Sequence, residues 1–406
     1  MSKVSVRDLP VEGRRVLVRV DYNVPLLERD GEILVADDTR IRQTIPTLEY
    51  LISRGAKIIL ASHLGRPKGK RKPSESLRPI AARLAQLLGK EIQFVEDCVG
   101  PQAERAAHSL APGQILLLEN TRFHPGEEAN DPEFSRALAR LADVYVNDAF
   151  AAAHRAHAST EGVAHWIAER GIGLLMEKEL RFLGEELSNP ARPFLVLLGG
   201  AKVSDKIGVV KRLLEKADVL AVGGAMAYTF LVAQGQEVGS SRVELDQVEI
   251  ASDCLRKARE RSVEFLLPQD HYIVETVDFS KRETSPGRYT LPGEPIPQGW
   301  KGVDIGPATV EAFRKVIGVA RTVFWNGPMG IFEISSCAKG TLAIAQALAQ
   351  ANHAVTIVGG GDSVAALQEA GVADRITFVS TGGGASLEFL EGKQLPGLVC
   401  IPDRPS

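Results

Sequence analysis

No run in this sequence is long and apolar enough to cross a bilayer, and its opening residues, MSKVSVRDLPVEGRR, carry no signal-peptide core. A cytoplasmic protein that works away from membranes is the expectation. Cysteine is scarce: Cys98, Cys254, Cys337 and Cys400 lie far apart and form no C-x-x-C pair. That spacing excludes a disulfide framework and reads as reduced packing residues rather than a zinc site. Neither sign of charge dominates, with 48 Lys and Arg against 51 Asp and Glu, a net of -3. A general nucleic-acid binder is therefore not expected. The sequence also lacks G-x-G-x-x-G, Walker A, nucleophile-elbow and metal-ligating histidine patterns. His154 and His157 flank Arg155 without a carboxylate at matching spacing, so anion binding or packing suits them better than a metal.

What the chain does have is clustered glycine. Residues 355–388 show one unit twice: a short β-branched apolar run, a glycine cluster, then a helix-like segment. In a parallel α/β unit such glycines fall at the carboxyl end of a strand, where the backbone approaches a ligand and the next helix offers free N–H groups. Phosphate fits there. Gly360, Gly361, Asp362 and Ser363 add a carboxylate able to hold a phosphate-bound Mg²⁺, and Gly382 with Gly383 form a second cradle. Turn geometry alone is the plainer alternative for either cluster.

A chain of 406 residues exceeds one usual core, so two domains are expected. In the first half, apolar runs at 16–20, Lys57–Ala61, Ile115–Leu118 and 144–146 alternate with helical stripes, one of them Ile80, Leu84, Leu87 and Leu88 capped by Gly89. This rhythm predicts a parallel sheet. The strand ends carry Arg19, Asp21, Asn23, His63, Arg66, Arg122 and Arg155, with Arg40 in a connection. Arginines gathered at one crevice repel one another unless an anion joins them, so a small polyanion bearing phosphate or carboxylate is expected. Residues 172–187 read as one amphipathic helix bridging the domains.

The second half begins with Phe194–Leu198. Its strands, including Val219–Val222 and 322–325, end in glycine instead of arginine. Lys202 and Lys206 follow the first of them, and Ser204 or Asp205 is placed to cap a helix whose face is Ile207, Val210, Leu213 and Leu214. Backbone amides with lysines suit nucleotide phosphates, and glycine lets a flat base lie on the main chain. Residues 278–302 read as a surface hairpin or loop. Two different anion sites suggest transfer between them, and phosphoryl transfer needs alignment and charge neutralisation rather than a nucleophilic residue.

In order along the chain, RVDYNVP, HLGRP, ENTRFHPGEE, NDAF…AHRAH, GGAKVSDKIG, GGAMAYTF, DIGP, WNGPMGIFE, GGGDS and STGGGASLEFLEGK closely resemble the phosphoglycerate kinase family. The resemblance runs from about Val16 to the C-terminus. It implies an α/β protein of two Rossmann-like domains with parallel sheets facing a cleft and joined by a bridging helix. The boundaries expected are 1–171 for 3-phosphoglycerate binding, 172–188 for the bridge, 189–390 for nucleotide binding, and a tail at 391–406 packing back on the first domain. The reaction implied is reversible phosphoryl transfer from 1,3-bisphosphoglycerate to MgADP, giving 3-phosphoglycerate and ATP, by a monomer.

On matching positions the resemblance implies that Asp21 and Asn23, with Tyr22 between them, hold the glycerate hydroxyl and carboxyl end. His63, Leu64, Gly65, Arg66, Arg122 and Arg155 would surround the 3-phosphate end, and Arg40 would contact the reacting carboxyl group and the moving phosphoryl. Lys202 would follow that phosphoryl, and Lys206 would pair with nucleotide phosphates. Glu333 would meet the ribose, Gly224 and Gly302 the adenine, Gly360 and Gly361 with Ser363 the phosphates, and Asp362 the Mg²⁺. The amides of Gly382 and Gly383 would stabilise the transition state. Three places depart from the family pattern: Ala151-Ala152-Ala153 for a Gly-Thr-Ala run, Gln269 for an apolar residue and Ala225 for a glycine. An NAD-dependent dehydrogenase and a non-catalytic nucleotide-binding scaffold are the rival readings. The missing dinucleotide fingerprint opposes the first, and retention of Arg40, Lys202 and Asp362 opposes the second.

Overall fold

A computed structural model describes residues 3–405. The chain up to Gly184, together with the stretch from Lys393 onward, forms one compact unit, and Glu185–Gly392 forms another. Each has its own apolar core around a six-stranded sheet.

In the first unit the strands run, edge to edge, Ile92–Val95, Ile115–Leu118, Lys57–Ala61, Arg15–Arg19, Val144–Asn147, Glu169–Ile172. Every pairing is parallel. The central strands are buried on both faces, which is why Ile115–Leu118 reads ILLL with no alternation. Helix Arg78–Leu88 buries Ile80 and Leu84 and ends at Gly89, whose φ of 61° is the left-handed cap that glycine supplies cheaply.

The helix expected over 172–187 forms over 174–186, in two windings and with a later start. Ile172 closes the edge strand Glu169–Ile172, pairing with Asn147 and bridging to Ser5. An α-helix then covers Leu174–Glu179, and Leu180–Glu186 is wound as a π-helix. The later start is set at Gly173, where a Cβ would stand 2.2 Å from the Asp148 carboxyl carbon. Only glycine lets Asp148 sit over the helix start, where Oδ1 accepts from the Met176 N–H at 3.0 Å and Oδ2 from the Thr47 hydroxyl at 2.6 Å. Burial pushes this carboxyl up to about 6 against those hydrogen bonds.

The chain from Lys393 onward is tied into this unit: Asn147 Nδ2 donates to the Gly397 carbonyl at 2.8 Å, and the Gly397 N–H donates to the Ala153 carbonyl at 2.9 Å.

In the second unit the order is Glu264–Leu266, Val219–Val222, Phe194–Leu198, Thr322–Asn326, Val355–Gly359, Phe378–Val379, again wholly parallel. In chain order this is 3-2-1-4-5-6, the doubly wound arrangement whose ligand crevice opens between the first and fourth strands. The first helix, Ile207–Leu213, buries Val209, Val210 and Leu213 and has Lys206 at its N-cap with no side-chain cap. Ser204 and Asp205 are not the cap; Ser204 instead donates its hydroxyl to Glu244 at 2.6 Å. A three-stranded antiparallel sheet, Arg288–Tyr289, His271–Val274, Lys301–Ile305, lies in this unit, with a hairpin at Val277–Asp278 and Glu283–Thr284. Gly302 therefore sits in a strand rather than at a loop end.

His271 is buried in that small sheet beside Tyr228, ring centroids 5.4 Å apart. Burial lowers its imidazole to about 4, so the folded chain stays neutral there while the unfolded chain takes up a proton below about 6.5. Stability contributed at this site is whole above about 6.5 and lost as pH falls toward 4, by about 3 kcal/mol in full. Urea unfolding across that range should show a shallower acid loss in His271→Gln than in the natural chain. Equal slopes would exclude this origin.

Candidate active site

At the carboxyl ends of the first sheet, strand Arg15–Arg19 delivers a buried guanidinium. Arg19 donates Nε to Ser159 Oγ at 2.7 Å and Nη1 to the Val20 carbonyl, while Nη2 lies 3.0 Å from His63 Nδ1. Behind Ser159 stands Glu127, fully buried, which accepts the Ser159 hydroxyl at 2.5 Å and its N–H at 2.9 Å. A cation is thus held inside the unit by a carboxylate acting through a serine. Burial draws the His63 imidazole well below its usual value, with Asp21 opposing and Arg19, Arg122 and Arg155 reinforcing the fall. His63 is consequently a neutral ring whose Nδ1 faces Arg19.

Asp21 follows the same strand. Burial disfavours its charge, yet the facing His63, Arg40, Arg19 and the Asn23 N–H together outweigh burial and hold the carboxyl below its ordinary range. Arg40 Nη1 meets Asp21 Oδ2 at 3.0 Å, and the Asn23 side chain accepts the Gly65 N–H at 2.9 Å. Gly65 has φ of 63° and gives its carbonyl to Arg122 Nη1 at 2.8 Å. Arg122 is 3 % exposed; its Nε makes no hydrogen bond among the described residues but pairs with Glu128 Oε1 at 3.4 Å. Burial lowers its affinity for a proton, Glu128 opposes, and Arg19 and Arg155 add to the fall. His157 is drawn to about 4 by burial and then by Arg122, Arg19 and Arg155. Arg66 is exposed and makes no hydrogen bond or ion pair with a described residue. Three crowded guanidinium groups, with Glu128 paired to Arg122 and Glu127 reaching Arg19 only through Ser159, still outnumber these carboxylates, and a phosphate group would supply the missing negative charge.

Two of the expected substrate residues stand apart from this group. Tyr22 is fully buried, its hydroxyl 2.8 Å from Thr44 Oγ1 and its N–H given to Ser62. Leu64 is buried and offers its carbonyl to Asn120. Both shape the loops without presenting a side chain to an anion.

In the second unit the crevice between the first and fourth strands is built from backbone. A Cβ on Gly199 would stand 2.1 Å from the Pro328 carbonyl, and one on Gly224, whose φ is 65°, would stand 2.6 Å from the Gly200 nitrogen. These positions need glycine because strand ends touch there. Lys206 reaches across, donating to the carbonyls of Gly199 at 2.5 Å and Asn326 at 2.9 Å. Burial lowers its ammonium to about 8, with Asp362 and Asp205 opposing. Lys202 is exposed and forms no ion pair or hydrogen bond with a described residue.

Gly360 and Gly361 open helix Gly361–Glu369, with Asp362 exposed in its first turn and Ser363 buried, its Oγ accepting the Gly327 N–H at 2.6 Å. Gly302 gives its N–H to Ser241 at 2.9 Å and lies against Tyr228, while Glu333 is exposed on a turn. Gly382 and Gly383 differ from each other. The Gly382 N–H is spent on Ser380 Oγ at 3.2 Å, whereas Gly383, with φ of 55°, caps Gly384–Leu390.

Sequence reasoning gave no role to Asn326, whose Nδ2 is buried without a hydrogen-bond partner among the described residues and would lie 3.1 Å from a Cβ on Gly360. The available signal was a polar residue closing the buried strand Thr322–Asn326. Ser159 and Glu127 gave none, because their importance depends on Arg19 being buried beside them.

Of the three departures, Ala225 precedes helix Met226–Ala233, Gln269 is exposed, and Ala151 and Ala152 lie in the short turn Phe150–Ala152. None displaces a charged residue of either site.

An arginine-lined anion site on one parallel sheet and a glycine-built cradle with lysines on another define an α/β phosphotransferase. A family model described as phosphoglycerate kinase matches residues 6–393. Proteins named phosphoglycerate kinase from Acidobacterium capsulatum and Koribacter versatilis are each 54% identical to this chain over 411 and 410 residues, covering 100% of both partners. Solved structures of the phosphoglycerate kinases from Coxiella burnetii and Pyrococcus horikoshii OT3 superpose with TM-scores of 0.86 and 0.81 at 38% and 33% identity, each covering 98% of both chains. The chain belongs to the phosphoglycerate kinase family, and it is an enzyme with that activity.

Proposed function

We propose that the first unit binds the glycerate substrate through Asp21, Asn23, His63, Arg66, Arg122 and Arg155, and that the second binds adenine nucleotide through its glycine crevice, Lys206, Glu333 and Ser363. The crowding of Arg19 and Arg155 on the buried Arg122, which lowers its hold on a proton, carries this reading. Asp362, a lone exposed carboxylate at a helix start, fits Mg²⁺, which favours one or two carboxylates together with phosphate oxygens and water. That ion supplies charge neutralisation of the nucleotide phosphates.

The chain's own part is alignment and electrostatics. An acyl phosphate leaves behind a stable carboxylate and the nucleotide acceptor oxygen is already ionised, so no general base is needed. Arg40 holds the reacting carboxyl end while anchored on Asp21, and Lys202 follows the transferred group. Hydrolysis is the competing reaction, so exclusion of water from both ligands belongs to this proposal. We take the protein to act as a cytoplasmic monomer, a reading that rests on family likeness. The initial rate of MgATP-dependent phosphorylation of 3-phosphoglycerate tests the assignment, and a folded chain that binds both substrates without turnover would favour the scaffold reading.

Lys206 gives a pH signature. Nucleotide phosphate favours its protonated form, so affinity for MgADP should be constant below about 8 and weaken as pH rises beyond it. Calorimetry near that pH in buffers of different ionisation enthalpy should show proton uptake on binding, absent in Lys206→Arg. Uptake that persists in the variant would move the effect to another group.

A further inference from the structure

Among the described residues, one group of metal-ligating side chains lies outside those assigned to either substrate: Asp97, Cys98 and His124, whose ligand atoms all fall within 4.8 Å of one another. Asp97 and Cys98 follow strand Ile92–Val95, and His124 follows the turn after its sheet neighbour Ile115–Leu118. His124 stacks on Phe134, centroids 5.1 Å apart, which fixes its ring with Nε2 at 2.7 Å from Asp97 Oδ1. Cys98 is fully buried, and its sulfur makes no hydrogen bond to a described residue. A buried thiol beneath an oriented imidazole and carboxylate is a donor set with its ligand positions already arranged.

We propose that Asp97, Cys98 and His124 bind a zinc ion, with water as the fourth ligand, forming a clip that ties these two loops together and steadies the turn carrying Arg122. Mixed sulfur, nitrogen and oxygen donors suit Zn²⁺ and disfavour Mg²⁺ and Ca²⁺, which take oxygen. Bonds of about 2.0–2.3 Å in a tetrahedron place ligands roughly 3.3–3.7 Å apart, so the Asp97–His124 contact need open by less than about 1 Å. Asp97 and His124 are 42% and 33% exposed, which leaves the site open to the ion and to solvent. On binding, the Cys98 thiol proton passes to solvent as the Zn–S bond forms, and His124 ligates through Nε2 with its proton on Nδ1. The simpler reading is an Asp97–His124 hydrogen bond with Cys98 packed below it.

The test uses the untagged full chain in excess Mg²⁺, titrated with Zn²⁺ by calorimetry and with Co²⁺ by absorption, where a thiolate charge-transfer band reports sulfur ligation. One equivalent of Zn²⁺, a Co²⁺–thiolate band and a raised thermal midpoint are expected. Cys98→Ala and His124→Gln should each weaken Zn²⁺ binding on the order of 100-fold or more and abolish the midpoint shift. No stoichiometric uptake, no thiolate band, or binding unchanged in both variants would overturn the proposal. The cobalt spectrum is read on the natural chain, so the outcome stands even if a variant fails to fold.

Discussion

Lys202→Ala is expected to lower turnover by about 10²- to 10³-fold while nucleotide affinity changes by less than about tenfold. The side chain is exposed and pairs with no described residue, so its removal leaves no buried partner unsatisfied and should cost little stability. Lys206 differs because it is spent on the carbonyls of Gly199 and Asn326, which commits it to the cradle. A cation held in reserve beside that cradle gains its full interaction only when charge moves, which is the condition for raising kcat rather than tightening binding. Deleting one such electrostatic contact costs about 2–4 kcal/mol in the transition state. Steady-state rates with calorimetric MgADP affinity would separate the two effects. A loss confined to KM, or matched by weaker nucleotide binding, would assign Lys202 to the ground state.

Arg19→Met should destabilise the fold by about 3–5 kcal/mol and abolish most activity, although the family resemblance implies no substrate role for Arg19. Removing it leaves the Glu127 carboxylate buried behind Ser159 and takes from His63 the donor facing Nδ1. An uncompensated buried charge costs far more than a lost surface pair. Adding Glu127→Gln to Arg19→Met should return part of the stability without returning activity, since the second change removes the orphaned charge but leaves His63 unanchored. Urea unfolding of the two singles and the double would measure the coupling. Simple additivity would show that the serine relay carries no energy.

Much of the catalytic apparatus was legible in the sequence because it is built from residue types with few other uses in those patterns. Glycine at strand ends such as Gly199 and Gly224 reports backbone contact, and arginine after a buried apolar run is a cation that must find an anion. The edge strands were harder. Ile92–Val95, Glu169–Ile172 and Glu264–Leu266 are short and mixed in burial, so they lack the apolar run that betrays a central strand. Reading the 172–187 helix placed its start two residues early for a related reason, because its amphipathic period is real but Ile172 is claimed by a strand on one side and Gly173 by the Asp148 carboxyl.

By itself the sequence determined the alternation of strands and helices, the two kinds of anion site and the family. Those depend on local pattern and on the chemistry of single side chains. Tertiary structure alone decided that Tyr22 turns into the core, that the Gly382 amide is spent on Ser380, and that Arg19, Ser159 and Glu127 form a buried relay. Such assignments depend on which groups desolvate together. Strand order and register bring Arg19 and Ser159 into contact across 140 residues of chain, and no local spacing encodes that meeting.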